Sequence, residues 1–462
     1  MKLFQIIFFT AALFADLANA QTRTLRIVTY NIDADSTLTN NQPTFTNIVR
    51  VPGPPLPGLI APPADPNNVQ AGGVLEGIGE EIAGADQAQP LDILALQETT
   101  SNPDTVVPIV NGLNTFYGLA GMYSSSPYQA TESGGFTGSG NGPNAIVFNT
   151  RTVQLLASVP VDPPGGTGQL GSGSGEYREV MRYQFAPAGV PVNVSNMFYI
   201  YVSHYKSGTG ANNSAYRLGE AQIIRNNAGT LPAGSRILYT GDFNTGVAAE
   251  GMYVTLIAPG TNQAMDPVNP AGSTNLTWDD GSSALEVKTY SPSSIHYRDD
   301  YQMMTTNVYY GTSGGLALVP GTYHVFGNNG SLPYLGKVTA DSNTALSNRL
   351  ATNGPVFISA AQLYLDLTGA SDHLPVVADY SIPLPAPVIT GFNLAGTNLL
   401  FNVANCITGG VYTVWTTTNL ALPFSRWTVL ATNVSDSGNF NFTVTNALNR
   451  GAPQSFYLLQ TK

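Results

Sequence analysis

Cysteine is nearly absent: Cys406 stands alone in 462 residues. A single thiol excludes an internal disulfide and any zinc site built on several cysteines, so packing or bound ions must hold the fold. Charge is scarce too, at 10% of residues, and leans acidic, with 18 Lys and Arg against 29 Asp and Glu and a formal charge of −11. That balance opposes non-specific attraction to nucleic-acid phosphates unless the few cations gather beside a site. Past the first twenty residues no stretch reaches the roughly 18 consecutive apolar residues of a membrane-spanning helix, so no stable membrane insertion is expected of the mature protein.

What is present begins with 43% hydrophobic residues, ample for a core, over a length that exceeds one ordinary core and predicts two domains. The polar remainder, rich in Asn, Thr, Ser and Gly, suits an extracellular protein. Lys2, the apolar run Leu3 to Phe14, and Ala18-Asn19-Ala20 before Gln21 have the layout of a signal peptide over 1–20. Secretion to an extracellular or periplasmic space is the expected localisation.

Leu25 to Tyr30 reads as a strand because β-branched and aromatic residues dominate it, and it ends at Asn31-Ile32-Asp33. Residues 36–70 are rich in Pro, Asn and Thr and predict an irregular excursion. A helix is expected over Val74 to Ala83, with Gly77 and Gly79 against it. Leu91 to Leu96 is a near-continuous apolar run, as in a strand buried on both faces, ending at Gln97-Glu98. Met197 to Val202 reads as a strand ending in Ser203-His204-Tyr205-Lys206, Ser214 to Asn226 as a helix, and Arg236 to Thr240 as a strand ending in Gly241-Asp242-Phe243-Asn244. Residues 130–143 and 163–175 are Gly/Ser-rich loops. After the strand that follows Ser371-Asp372-His373, a Pro-rich linker over 383–387 separates a domain at 21–382 from a module at 388–462. The module's short strands and Asn/Gly/Thr turns predict a small all-β sandwich with Trp415 and Trp427 as core anchors.

Polar residues recur at the ends of these strands: Asn31, Glu98, His204, Asp242, Asn244, Asp372 and His373. Strand ends are where a sheet scaffold presents catalytic groups, so five such segments point to one cleft. The set is chemically coherent. Glu98 and Asp372 suit a hard, oxygen-seeking ion such as Mg²⁺, with Mn²⁺ and Ca²⁺ also acceptable. Asp242 suits holding or deprotonating a water, Asn244 suits donating hydrogen bonds, and His204 and His373 suit offsetting charge on phosphoryl oxygens or protonating a leaving oxygen.

Thr29-Tyr30-Asn31-Ile32, Leu96-Gln97-Glu98-Thr99, Gly241-Asp242-Phe243-Asn244 and Ser371-Asp372-His373-Leu374-Pro375-Val376 occur in this order. Together they resemble the signature of the endonuclease/exonuclease/phosphatase superfamily over about residues 24–382. The resemblance implies a four-layer α/β sandwich of two facing mixed sheets flanked by helices. It implies metal-proximal Asn31 and Glu98, with Glu98 the principal ligand and Asp372 a second metal contact. It assigns Asp242 and Asn244 to the water and the phosphate, and His373 to the transition state. Tyr297-Arg298-Asp299-Asp300-Tyr301 resembles the family's Arg-apolar-Asp-Tyr element, which would make Asp300 the carboxylate orienting His373; Asp299 stands where an apolar residue is usual, and the choice between the two is open. The stretch from Ser203 through His204 and Lys206 to Gly208, followed by Arg217 and Glu220, is similar to secreted bacterial nucleases of this family.

The expected function is therefore metal-dependent hydrolysis of phosphodiester bonds by in-line water attack, with nucleic acid as the substrate. The rivals within enzymes are another phosphate-ester hydrolase and a sphingomyelinase-like phospholipase C, for which the aromatic stretch 115–128, with Phe116, Tyr117, Tyr123 and Tyr128, would form a membrane-meeting loop. The rival from another class is a non-catalytic surface or adhesion protein displaying the module; the module resembles C-terminal modules of secreted bacterial proteins, which implies attachment to a surface or glycan, or stabilisation. His296 and His324 are assigned no role, and Arg178 and Arg182 are expected to make structural pairs rather than bind phosphate.

Overall fold

The computed structural model describes residues 21–34, 43–45, 64–65, 67–83, 87–126, 142–161, 178, 180–281, 284–312, 314–346, 358–407, 410–435, 439–445 and 455–461. The expected signal peptide, residues 163–175, Tyr128, and most of 36–70 and 130–143 lie outside them. Two compact units emerge. The larger joins Thr24–Ala186 to Met197–Ser381; the smaller joins Ile382–Lys462 to Pro187–Asn196 and to the described residues up to Arg23.

In the larger unit, the strands in chain order are β1 (Gln21–Asn31), the short pair β2 (Ile82–Ala83) and β3 (Gln87–Ala88), β4 (Ile93–Gln97), β5 (Tyr123–Ser125), β6 (Ala145–Asn149), β7 (Val153–Val161), β8 (Val180–Pro187), β9 (Phe198–His204), β10 (Ile237–Asp242), β11 (Ala264–Met265), β12 (Asp300–Thr305), β13 (Ala317–Leu318), β14 (His324–Val325) and β15 (Val376–Leu384). The helices are α1 (Ala71–Glu80), α2 (Val107–Phe116), α3 (Ala211–Thr230), α4 (Gly251–Ile257), α5 (Thr306–Tyr310) and α6 (Ala360–Ala370). One sheet runs β13-β15-β1-β4-β6-β5, with β14 on β15; the other runs β11-β12-β10-β9-β8-β7. Both are mixed: β1 pairs parallel with β4 and β10 with β9, while β10 pairs antiparallel with β12.

The two sheets face each other, β4 lying against β9 and β10. On the first sheet's outer side, Val28, Tyr30, Leu94 and Leu96 pack with α1, α2 and α6 through Val74, Ile78, Leu113 and Leu363. On the second sheet's outer side, Tyr201, Ile237 and Tyr239 pack with α3 and α4 through Ala221, Ile224 and Met252. Helices, sheet, sheet and helices make four layers, and the continuous apolar runs follow because the strands are covered on both faces.

Gln302 ties the sheets together from between them. Its amide donates to the carbonyls of Ile27 (3.2 Å) and Val376 (3.3 Å) and its oxygen accepts from the Tyr380 hydroxyl (2.7 Å). A buried amide fits there because every polar atom it brings is paired.

The helix expected at 74–83 instead spans Ala71–Glu80, and Ile82–Ala83 form a strand. Gly77 and Gly79 sit inside this helix because Leu363 and the Tyr117 hydroxyl occupy the places their Cβ atoms would need, so close packing recovers what glycine costs. The described aromatics of the stretch 115–128 are core: Phe116, Tyr117 and Tyr123 are buried, with ring centroids 5.0 and 5.7 Å apart in sequence. The linker expected from 383 is shortened, since β15 continues through Pro383 and Leu384.

The smaller unit contains β16 (Val388–Ala395), β17 (Asn398–Ala404), β18 (Val411–Thr417), β19 (Thr428–Val434), β20 (Asn439–Val444) and β21 (Phe456–Thr461), in two antiparallel three-stranded sheets, β16-β17-β20 and β19-β18-β21. Its core is Leu399, Phe401, Val414, Phe442, Val444 and Tyr457, with Cys406 buried in a neighbouring cluster. Trp415 and Trp427 are not its anchors. Val414 takes the inward position on β18, and the tryptophans, partly exposed, flank Phe424 at 4.9 and 5.7 Å. Among the described residues no helix is long and apolar enough to cross a membrane.

Candidate active site

Strand register assembles the site. Asp242, the last residue of β10, lies opposite His204 of β9 on one side and Asp300 of β12 on the other. In the facing sheet Asn31 ends β1 beside Gln97 of β4, which places Glu98 next to Asn31. Gly241 precedes Asp242 at φ +136°, and a Cβ there would strike the Ser203 carbonyl, so only glycine allows β10 to lie this close to β9.

The polar groups then converge. The Asn31 amide donates to Glu98 Oε1 (3.0 Å) and to Asp242 Oδ2 (3.1 Å), bridging the two sheets. His204 Nε2 lies 3.4 Å from Glu98 and 3.5 Å from Asp242. His373 Nδ1 lies 2.7 Å from Asp300 Oδ2, and its Nε2 lies 3.6 Å from both Asp242 and Asp372. Ser371 holds this segment in place, its hydroxyl donating to the Asn31 carbonyl (2.7 Å) and accepting the His373 N–H (3.0 Å). Thr289 Oγ1 accepts the N–H groups of both Asp299 and Asp300. Asp300 is thus the carboxylate on His373, while Asp299 lines the cleft.

Two sequence-derived positions take a different place from the rest. The Asp372 side chain is 47% exposed at the rim and belongs to neither compact group of candidate ligands, Glu98–His204–Asp242 or Asp242–Asp300–His373. Asn244 spends one amide donation on the Tyr205 carbonyl (3.0 Å), and its backbone N–H donates to Asp242 Oδ1 (2.9 Å).

Asp33 (φ 47°), Glu98 (φ 54°) and Asn244 (φ 50°) all adopt left-handed backbone and all line the cleft. Such conformations cost free energy and persist where the surroundings enforce them, as they do at functional sites.

Electrostatics divides the titratable groups. Burial, reinforced by Asp300 and opposed by His373, pushes Asp242 up to about 6. Burial and then Asp242 hold Asp299 well above the carboxylate range. Burial would lower His373, but Asp300, Asp242 and Asp372 outweigh it and hold the imidazolium well above its ordinary range. His204 goes the other way, driven down by burial and then by Arg178, His373 and Lys206. One histidine is therefore charged and the other neutral at neutral pH.

The donor set fits a divalent cation. Two carboxylates from facing sheets and a neutral imidazole gather within 4.8 Å, a concentration of negative charge that a hard ion relieves. The cleft holds about 600 Å³ and, among the described residues, is lined by seven carboxylates and a single arginine, Arg217.

Its wall is built from paired charges. The Glu220 carboxylate, fully buried, accepts the backbone N–H groups of Arg178 (2.7 Å) and Lys206 (3.0 Å). Arg178 donates to the Tyr205 carbonyl and the Ser207 hydroxyl, and Arg182 to Asn227, as structural pairs. Arg217 is held by Glu250 (2.5 Å) and by the carbonyls of Lys206 and Gly208. His324 lies 3.0 Å from Glu81, away from the cleft lining. Tyr290, missed in the sequence, forms a β-bridge with His373 and places its ring 5.2 Å from the imidazole. No periodicity or motif marks it.

No family model and no curated protein matches the sequence. Solved structures similar to it include an endonuclease/exonuclease/phosphatase from Bacteroides vulgatus, at 14% identity over 78% of this chain and 99% of that one, with a TM-score of 0.42. The catalytic domain of human Nocturnin with bound sulfate is similar at 14% identity over 79% of this chain and 97% of that one, TM-score 0.40. ANGEL2, a 2′,3′-cyclic phosphatase in complex with adenosine-2′,3′-vanadate, is similar at 14% identity over 79% and 99%, TM-score 0.39.

Proposed function

We propose that this chain is a divalent-metal-dependent phosphodiester hydrolase of the endonuclease/exonuclease/phosphatase superfamily, exported by its signal peptide and acting on nucleotide phosphodiesters. The observation that carries this is the Asp300–His373 pair aimed at the Glu98–Asn31–Asp242 bridge. A charged imidazole, an oriented base and a cation-binding carboxylate then face one space, as hydrolysis of a phosphoryl centre requires.

Glu98, with Asp242, His204 and Asn31 beside it, would hold the ion, and Asp372 at the rim would make a second contact. Mg²⁺, Mn²⁺ or Ca²⁺ there would stabilise negative charge on a phosphoryl oxygen. The rest is done by side chains. Asp242, ionised at neutral pH, accepts a proton from the attacking water. Asn244 positions that water or the phosphate through its side-chain amide. His373, held protonated by Asp300, donates its Nε2 proton toward a phosphoryl or leaving oxygen, and Asp300 fixes the ring while offsetting its charge. His204, neutral and buried, fills the gap between Glu98 and Asp242.

Support for a nucleotide substrate comes from the resemblance of the stretch Ser203 to Gly208 to secreted nucleases, and His204, Ser207 and Gly208 of that stretch line the cleft. Phe116, Tyr117 and Tyr123, buried in the core, are withdrawn from a lipid-meeting role. Support for export is the layout of residues 1–20 before Gln21. The module at 388–462 is proposed to serve attachment.

The test incubates the mature protein with plasmid DNA, RNA, sphingomyelin and a chromogenic phosphodiester, each with Mg²⁺, Mn²⁺, Ca²⁺ or chelator. Metal-dependent cleavage of the nucleotide esters, abolished in His373→Ala, is expected. Turnover of sphingomyelin alone would replace this function with a phospholipase C, and a folded protein silent on every substrate would remove it.

A further inference from the structure

Two aromatic rings in the cleft have no part in the chemistry above. Tyr290 and Tyr297 face each other across an antiparallel bridge, each backbone N–H donating to the other's carbonyl at 3.0 and 2.9 Å. Their rings stack at 6.0 Å with an interplanar angle of 14°, and both line the cleft. Tyr290 is the inner ring, 5.2 Å from the His373 imidazole; Tyr297 is the outer one, 37% exposed and flanked by His296 at 4.0 Å. A tyrosine exposed to that extent is not needed for the core, and singly it would call for no explanation. Here it stacks on Tyr290, whose own ring meets the imidazole tilted at 60°.

The cleft's charge sharpens the question of what that stack meets. A protein that follows a nucleic-acid backbone does so with Lys and Arg on the phosphates. Among the described residues the cleft lining holds one Lys or Arg, Arg217, which is committed to Glu250 and two carbonyls; Arg178, Lys206 and Lys288 lie outside the lining, Arg178 donating to Tyr205 and Ser207 and Lys288 to the carbonyls of Trp278 and His296. Asp279 and Asp372 instead line the cleft. Phosphates flanking the reacting one therefore gain little and meet repulsion, which disfavours a duplex laid across the cleft. Affinity must come from an uncharged part of the substrate, and stacking of a base on an aromatic face supplies it without regard to sequence.

We propose that Tyr297, backed by Tyr290, is a base-stacking platform, and that the substrate is a mononucleotide ester or a single strand whose base next to the reacting phosphate rests on these rings. This rests on the phosphodiesterase reading of the adjoining site. Tyr290 and Tyr297 are specificity-determining residues in this scheme, whereas His373 and Asp242 act on any ester.

The experiment compares thymidine 5′-(p-nitrophenyl phosphate) with methyl p-nitrophenyl phosphate, which share a leaving group and differ in the nucleoside. In wild type the nucleoside ester is favoured in kcat/KM. In Tyr297→Ala that preference falls about tenfold, the size of a lost base–aromatic stack, and Tyr297→Trp restores it. An unchanged ratio across the three proteins overturns the platform and leaves the hydrolase intact. If wild type turns over neither ester with any of the metals, the hydrolase reading fails, and calorimetric titration with thymidine 5′-monophosphate then decides the platform alone: binding weakened in Tyr297→Ala sustains it, and equal or absent binding overturns it.

Discussion

Asp300 Oδ2 lies 2.7 Å from His373 Nδ1, joining two residues 73 positions apart in the chain, and the Asp300 side chain is fully buried. If Asp300 orients and charges His373, Asp300→Asn lowers kcat on the order of 100-fold, the usual scale for disabling a general acid, with little change in KM. The alkaline limb of the pH–rate profile moves to lower pH, because removing the carboxylate lowers the His373 pKa. Steady-state kinetics across pH, with circular dichroism to verify folding, checks this; an unmoved limb would show that Asp300 does not set the charge of His373.

Glu98 and Asp242 bring two carboxylates onto one amide of Asn31. In chelator this like-charge pair is a liability, so Glu98→Gln raises Tm in EDTA while abolishing the Tm increase that Mn²⁺ produces in wild type by binding the native state. Scanning calorimetry with and without Mn²⁺ reads both effects. A Glu98→Gln protein still stabilised by Mn²⁺ would place the ion elsewhere.

Burial pushes Glu220 up to about 7 from its ordinary value of 4.5, against the opposing hydrogen bonds of Arg178 and Lys206. Between those two values the native protein holds a proton that the unfolded chain has released. Stability therefore falls as pH rises from about 4.5 to about 7, by on the order of 3 kcal/mol, and is level above that range. Glu220→Gln removes this component. Urea denaturation of both proteins at several pH values gives the difference, and parallel curves would refute it.

Gln302→Leu leaves the Tyr380 hydroxyl without its acceptor between the sheets and is expected to cost about 1–3 kcal/mol. Adding Tyr380→Phe should cost little more, because the hydroxyl it removes is already unpaired. A double-mutant cycle by chemical denaturation measures the coupling, and additive losses would mean that the two groups act independently.

Binding of a single-stranded oligonucleotide is expected to depend weakly on salt, with log K falling with log salt at a slope of about 1 or less, as for a protein that neutralises few phosphates. Fluorescence anisotropy of the His373→Ala protein across salt concentrations checks it. A steep slope would reveal a phosphate-binding track, contrary to the acidic lining.

Much of the site was legible one strand at a time. Asn31, Glu98, His204, Asp242 and His373 stand where apolar, β-branched runs give way to polar residues, and a two-residue side-chain period is enough to see that. Asp299 and Asp300 show where this stops. Adjacent carboxylates point to opposite faces of a strand, and only the register of β12 on β10, with Thr289 holding both backbones, turns Asp300 rather than Asp299 onto His373.

The sequence by itself determined which segments become buried strands, where their polar ends fall and how little positive charge the protein can bring to a ligand, because these depend on local pattern and composition. The tertiary structure alone decided that Tyr290 meets His373, that Gln302 bridges two sheets, that Gly77 and Gly79 serve helix packing, and that Trp415 and Trp427 stay out of the module's core. Each depends on partners far away in the chain, brought together by strand register and sheet packing, and one residue's own chemistry does not encode its distant neighbours.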